Sequence, residues 1–128
     1  MENPIDLKYT KAHEWVRIDG DVATVGITDY AQDQLTDVVF VELPAVGKQI
    51  EQNSNLCVVE SVKSVSDVFS PISGEIVEVN NALENSPELI NSEPFEGGWI
   101  AKLKVKNEAE LDRLMTTEEY NTFLTGIE

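Results

Sequence analysis

One lysine in the middle of the chain lies between two apolar, β-branched segments and is a candidate for covalent chemistry. Lys63 follows the alternating run Leu56 to Val62, and Ser64 separates it from a second run, Val65 to Phe69. Alternation of this kind predicts two antiparallel strands joined by the two residues Lys63 and Ser64. A hairpin of that length exposes the ε-amine of Lys63 on a rigid backbone, which favours recognition by an amine-modifying enzyme.

The loop residues themselves indicate a role beyond making the turn. Tight two-residue hairpins favour Asn-Gly or Asp-Gly, because their central residues adopt positive φ angles. Lys63 and Ser64 are neither of these pairs. Most lysines are solvated and do nothing specific, so the local pattern indicates a modification site without naming the group attached.

The charge of the chain argues against several classes of partner. Its 128 residues carry 24 acidic and 9 basic side chains, giving a formal net charge of −15. Nucleic acid and anionic membranes select basic surfaces, so we expect neither as a partner. The acidic balance serves solubility or steers the protein toward basic docking surfaces, and the sequence leaves both open.

The sequence predicts neither a membrane helix nor a targeting segment. No apolar run approaches the roughly 20 residues that a membrane helix requires. The first residues have neither the basic-then-apolar order of a signal peptide nor the Arg-rich character of a transit peptide. We therefore expect a bacterial cytoplasmic protein, or the mature form of a protein of the mitochondrial matrix.

The residue types needed for an independent active site or a metal centre are scarce. Cys57 is the single cysteine and His13 the single histidine. An intramolecular disulfide and a Cys-rich metal site are therefore excluded, and no nucleophile–base pair can be assembled. Cys57 lies in an apolar run and is expected to be a small buried side chain. We expect no catalytic residue and no metal site.

Short alternating segments separated by turn signals predict a mainly β domain with helices at its margins. Helices are expected at Asp29 to Leu35 with Thr28 as N-cap, and in two segments that begin near Asn107 and Thr116. We expect one domain, residues 1–128, with a core at about 21–105 and a C-terminal helical cap at about 107–125. The predicted strands contain Ala23 to Ile27, Val39 to Leu43, the two segments beside Lys63, Glu75 to Val79 and Trp99 to Val105.

The segment around Lys63 resembles the lipoyl attachment site of the glycine cleavage system H protein family. Biotin carriers place methionines on both sides of the lysine and acyltransferase lipoyl domains carry Asp-Lys-Ala, whereas Val62 and Ser64 flank Lys63 here. The family usually has alanine where Ser64 stands. It usually has glycine where Thr36 stands, so the sequence does not determine the shape of the loop at Thr36. Further segments resemble the family over about Tyr9 to Tyr120, among them Tyr9 to Val16, Gly26 to Leu35, Asp37 to Pro44 and Gly98-Trp99.

This resemblance implies a lipoyl-domain-like barrel-sandwich hybrid with Lys63 as the covalent lipoyl site. Glu14 and Asp67 are implied as candidates for a cleft that shelters an aminomethyl ammonium; a solvated carboxylate or a backbone cap is the alternative for each. Gly74 is expected to allow a turn conformation closed to other residues. The residues expected to present the lysine are Glu60, Ser61, Val62, Ser64 and Val65.

The same resemblance implies a non-catalytic carrier. Such a protein takes the aminomethyl group of glycine from a pyridoxal-phosphate decarboxylase, the P protein, to an aminomethyltransferase, the T protein. Dihydrolipoyl dehydrogenase, the L protein, reoxidises it, and a lipoate ligase or an octanoyl/lipoyl transferase supplies the cofactor. The alternatives are an H-like relay that donates lipoyl groups to other lipoyl domains, a biotin carrier and an unmodified acidic scaffold.

Overall fold

The computed structural model describes residues 2–127, and most of their ordered structure is β-strand. The strands in this range are β1 Lys8–Tyr9, β2 Glu14–Asp19, β3 Val22–Ile27, β4 Val38–Glu42, β5 Gln49–Ile50, β6 Asn55–Ser61, β7 Val65–Phe69, β8 Gly74–Val79 and β9 Ala101–Val105. The helices are α1 Asp29–Leu35, α2 Ala82–Asn85, α3 Leu89–Ser92, a 3-10 helix at Glu108–Arg113 and α4 Thr117–Ile127.

Two antiparallel sheets contribute side chains to one apolar core. The larger sheet has the order β1-β2-β3-β9-β8-β5, and the smaller has the order β4-β6-β7. Val25 and Leu103 of the larger sheet and Val41 and Val59 of the smaller are buried in the same cluster. The predicted mainly β class, with short helices and a C-terminal helix, is confirmed.

Local sequence signals explain several boundaries. Gly20 turns the chain between β2 and β3 at a φ of 64°, a conformation that glycine adopts at little cost. Thr28 caps α1, because its Oγ1 accepts a hydrogen bond from the backbone N–H of Ala31 at 3.3 Å. Asn107 likewise caps the 3-10 helix by accepting from the backbone N–H of Ala109 at 3.1 Å.

Thr36 ends α1 in a conformation that favours glycine. Its φ of 63° and ψ of −151° lie in a region that is sparsely populated for residues with a Cβ. The Thr36 backbone N–H still donates to the Gln32 carbonyl oxygen at 3.0 Å, so the loop keeps its place after the helix. Thr36 is therefore a strained β-branched residue in this loop, at a position where the family that the sequence resembles usually has glycine.

Strand β4 departs from the predicted alternation. Val38 and Val41 are buried, whereas Val39, which alternation would place on the same face as Val41, is exposed together with Phe40. The pairing of β4 with β6 shifts register between Val38 and Phe40. A β-bulge of this kind places two consecutive side chains outside the sandwich, and strict alternation cannot anticipate it.

Gly74 has a different role from the one predicted. It lies within β8, and positive φ angles among the described glycines belong to Gly20 and Gly47 instead. A Cβ at Gly74 would collide with the backbone carbonyl oxygen of Lys104 in the neighbouring strand β9. The position therefore requires glycine because two backbones approach closely, and the expected turn conformation is wrong.

The C-terminal helix α4 packs against the first strands through aromatic rings. Tyr120 stacks on Tyr9 with ring centroids 4.6 Å apart and an interplanar angle of 3°. Leu7, Trp15 and Phe95 complete this second apolar cluster. The packing fixes the chain around residues 10–14, which form part of the site described below.

Candidate functional site

Lys63 lies in an exposed connection between β6 and β7. The connection has three residues, Val62, Lys63 and Ser64, so the two-residue loop predicted from the sequence is one residue too short. Val62 leaves the hairpin because its backbone N–H donates to the carbonyl oxygen of Asp37 at 3.0 Å. The flanking strands themselves agree with the prediction, and Glu60 pairs with Val65 beside the loop.

Ser61 braces this turn from its base. Its backbone N–H donates to the Ser64 carbonyl oxygen at 2.8 Å. Its Oγ accepts the backbone N–H of Ser64 at 3.1 Å and that of Lys63 at 3.3 Å. The buried serine hydroxyl satisfies the turn's amides from within. This arrangement explains how the loop forms without Asn-Gly.

A cleft of about 290 Å³ opens beside the hairpin. Its walls come from the loop before β2, from α1 and from the edge strand β7, and they are mainly apolar. Such a cleft suits a narrow, largely apolar group with a polar end. The residues that line it are Ala12, His13, Glu14, Ile27, Tyr30, Ala31, Gln34, Leu35, Ser64, Ser66, Asp67 and Val68.

Glu14 lines this cleft and has 3% of its surface exposed. One carboxylate oxygen accepts from the Thr10 hydroxyl at 2.6 Å, and the other accepts from the Phe69 backbone N–H at 3.4 Å. Burial raises the pKa of the Glu14 carboxyl, and these two hydrogen bonds partly oppose that effect. Asp67 lines the same cleft from β7 and is exposed. The two carboxylates that the resemblance implied as candidates therefore line the same cleft.

His13 forms another part of the cleft wall that we did not assign a role from the sequence. Its Nδ1 is 2.8 Å from the Tyr120 hydroxyl, which lies 2.8 Å from Thr28 Oγ1. Its ring also packs against Tyr30 with centroids 4.5 Å apart. Burial lowers the pKa of His13 and favours an uncharged ring. Position next to Glu14 was the only sequence signal for this placement.

The charges that line the cleft are therefore carboxylates. Glu14 and Asp67 are its acids, and neither lysine nor arginine is among the described lining residues. Within residues 2–127, no group of three or more His, Cys, Asp or Glu side chains could hold a metal ion. The cleft is suited to a cation carried on an organic group.

No helix in the described range is long and apolar enough to cross a membrane.

Cys57 is buried, as expected, and burial raises the pKa of its thiol to about 12. A thiol with so high a pKa is a poor nucleophile at neutral pH.

The two facing sheets, with an exposed lysine at a hairpin tip, define the lipoyl-domain-like barrel-sandwich class. A family model described as "Glycine cleavage H-protein" matches residues 7–127, and the chain belongs to this family. Membership implies, in general, a lipoyl cofactor and the P, T and L proteins as partners.

Individual relatives agree over nearly the whole chain. The sequence is 58% identical over 120 residues to a glycine cleavage system H protein of Symbiobacterium thermophilum, with 94% of each chain covered. It is 50% identical over 128 residues to one of Halothermothrix orenii, with 100% of each covered. The fold is similar to the crystal structure of a glycine cleavage system H protein from Mycobacterium marinum, with a TM-score of 0.83, 39% identity, and 94% and 97% of the two chains covered.

Proposed function

We propose that this chain is a non-catalytic carrier that bears a lipoyl group on Lys63 and moves the aminomethyl group of glycine from the P protein to the T protein. The L protein then reoxidises the carrier. The observation that carries the proposal is the exposed, serine-braced Lys63 beside a cleft that contains Glu14 and Asp67. Family membership supports the same assignment.

Attachment of the cofactor requires an accessible amine. The uncharged ε-amine of Lys63 attacks the carbonyl carbon of an activated lipoyl or octanoyl acid. A carbon–nitrogen amide bond forms, the bond to the leaving group breaks, and the amine gives up a proton. A lipoate ligase or an octanoyl/lipoyl transferase supplies the activated acid. Ser61 holds the backbone of Lys63 for this step, while Glu60, Val62, Ser64 and Val65 present it.

The cleft fits the attached group. Its walls are mainly apolar, it adjoins Ser64, and its volume of about 290 Å³ accommodates the end of a long narrow arm. When bound, the lipoyl group supplies a disulfide that accepts a carbon group on one sulfur and leaves the other sulfur as a thiol. The apolar walls exclude water, and the carboxylates of Glu14 and Asp67 stabilise a cationic ammonium.

Such shelter has a chemical purpose. An aminomethyl group on sulfur loses ammonia and formaldehyde in water, so a carrier must protect it between two enzymes. The buried carboxylate of Glu14 and the exposed carboxylate of Asp67, which both line the cleft, supply negative charge to it. The uncharged His13 ring adds no positive charge that would repel the ammonium.

The surroundings of the protein follow from the same proposal. Because the chain has a net charge of −15, we expect it to bind neither nucleic acid nor anionic membranes. We place the protein in the bacterial cytoplasm, because the relatives described above are bacterial. The relay alternative uses the same lysine, but its lipoyl group is donated to other lipoyl domains and does not accept carbon from glycine.

Intact-mass analysis with peptide mapping tests the proposal. Protein from lipoate-replete cells is measured before and after exposure to glycine and the P protein, with Lys63→Arg as the control. We expect a lipoyl increment on Lys63 that gains an aminomethyl group only with glycine, and neither increment in the control. A lipoyl increment that never loads would support the relay, and an unmodified Lys63 would contradict both functions.

A further inference from the structure

Four apolar side chains near the lysine face solvent. The exposed fractions are 51% for Val39, 51% for Phe40, 66% for Val62 and 65% for Val65. Single exposed apolar residues are ordinary, whereas a group of them in one place marks an interaction site.

Strand pairing places two of these residues, Phe40 and Val65, on one surface. Phe40 of β4 pairs with Glu60 of β6, and Glu60 pairs with Val65 of β7. Directly paired residues share a face, and neighbouring strands lie about 4.8 Å apart. Phe40 and Val65 therefore lie on either side of Glu60 on the outer face of the small sheet. Val62, at the end of β6, continues the surface to Lys63.

The β-bulge in β4 creates part of this surface. Strict alternation would turn either Val39 or Phe40 into the core, but the register shift leaves both exposed. An exposed apolar side chain gains no stabilisation from burial, and apolar residues on an edge strand promote association with other chains. Bulges recur where a side chain must be aimed for function. We therefore interpret the surface as a binding surface, since its exposure does not stabilise the fold.

Apart from Lys63 at the hairpin tip, the charged side chains around this surface, in β4, β6 and β7, are acidic. Glu60 lies within it, and the next row pairs Glu42 with Val58 and Val58 with Asp67. Strands β4, β6 and β7 contain neither lysine nor arginine. A complementary partner has an apolar centre and a basic rim.

We propose that Val39, Phe40, Val62 and Val65 form the docking surface of the enzyme that acylates Lys63. The inference rests on the proposed function. Acylation must bring the ε-amine of Lys63 itself into the partner's active site, so the partner covers the hairpin tip and its neighbours. Enzymes that act on the far end of the completed arm need not cover this surface. Phe40 is its aromatic anchor, because large aromatic side chains dominate interface energetics.

The test measures acylation of apo protein by a lipoate ligase supplied with octanoate and ATP, at varied carrier concentration. Phe40→Thr keeps a strand-compatible residue and removes the anchor. Val77→Thr is the matched control, because Val77 is an exposed valine in β8, in the other sheet. Val65→Thr provides a second, independent variant should Phe40→Thr lose its cooperative thermal transition.

We expect Phe40→Thr to lower kcat/KM for acylation about tenfold or more, through KM, as for an interface contact of about 1.4 kcal/mol. Val77→Thr should match the wild type. Once fully lipoylated, Phe40→Thr should load from glycine and the P protein at the wild-type rate. Wild-type acylation of folded Phe40→Thr would overturn the proposal, and so would equal losses in acylation and loading.

The result also separates this surface from the function on which it rests. Reduced acylation of Phe40→Thr alongside wild-type protein that is lipoylated but never loads would support the docking surface and contradict the glycine shuttle. A wild-type Lys63 that the ligase does not acylate would overturn both.

Discussion

Replacing Glu14 by glutamine is expected to stabilise the fold and to shorten the life of the cargo. Glutamine has nearly the same shape and keeps an oxygen that accepts from Thr10 or Phe69, whereas the negative charge is lost. The two effects have opposite signs because the charge is costly to the fold and useful to the cargo. Measuring both on one variant makes the expectation specific.

The stability effect depends on pH. Burial raises the pKa of Glu14 above its ordinary value of 4.5, so folding favours the protonated carboxyl. The resulting stability is fully present below the ordinary pKa and is lost as pH rises through the raised pKa of the folded state. Glutamine does not titrate, so the variant should gain stability over the wild type as pH rises from 4 to 8. Urea unfolding at pH 4, 6 and 8 measures this difference.

The cargo effect follows from a lost charge-assisted contact. A hydrogen bond to a charged group contributes about 1.5–3 kcal/mol, and 1.4 kcal/mol is a factor of ten. Glu14→Gln should therefore speed the loss of formaldehyde from loaded protein roughly 10- to 100-fold after the P protein is removed. Asp67→Asn should also speed the loss, but by less, because Asp67 is exposed. An unchanged loss rate together with an unchanged pH profile of stability would refute the reasoning.

Two further predictions concern loops. Thr36→Gly should raise the free energy of unfolding by about 1 kcal/mol, because relief of backbone strain exceeds the added entropy of an unfolded glycine. Urea unfolding measures this change, with Thr36→Ala as a control that keeps the strain. Equal stability of the two variants would count against strain at this position. Ser61→Ala should destabilise the protein by about 1–2 kcal/mol and speed hydrogen exchange at the amides of Lys63 and Ser64, which lose their acceptor. Unaltered exchange at both amides would show that the hydroxyl does not brace the turn.

The features that the sequence predicted correctly are local. The strands beside Lys63 carry their own alternation, and Thr28 caps α1 through a contact only three residues away. Periodicity and capping are readable from a short window because both partners lie inside it. The position of Lys63 between two paired strands could be predicted on the same basis, whereas its role stays a prediction.

The features that were missed depend on partners distant in sequence. The bulge at Val39 is set by pairing with β6, which alternation within β4 does not record. Glu110 lies in the helical segment expected to begin near Asn107, yet it is buried, and its carboxylate accepts from the Ser73 backbone N–H and hydroxyl at 2.7 Å each. The burial of Glu14 likewise requires Phe69, 55 residues away. Tertiary contacts of this kind decide which charged residues leave the surface.

The nearness of the cleft to the hairpin tip has a kinetic consequence for every partner. If Lys63 bears the proposed arm, the cleft that adjoins Ser64 is tethered to it and competes for it as an intramolecular site. Short flexible tethers give effective concentrations on the order of millimolar. A partner at micromolar concentration that bound the arm alone would need about a thousandfold higher affinity than the cleft to withdraw it. A partner that also binds the body of the protein gains a comparable effective concentration of its own. Contact with the domain surface therefore allows the arm to move from the cleft into the active site of a partner.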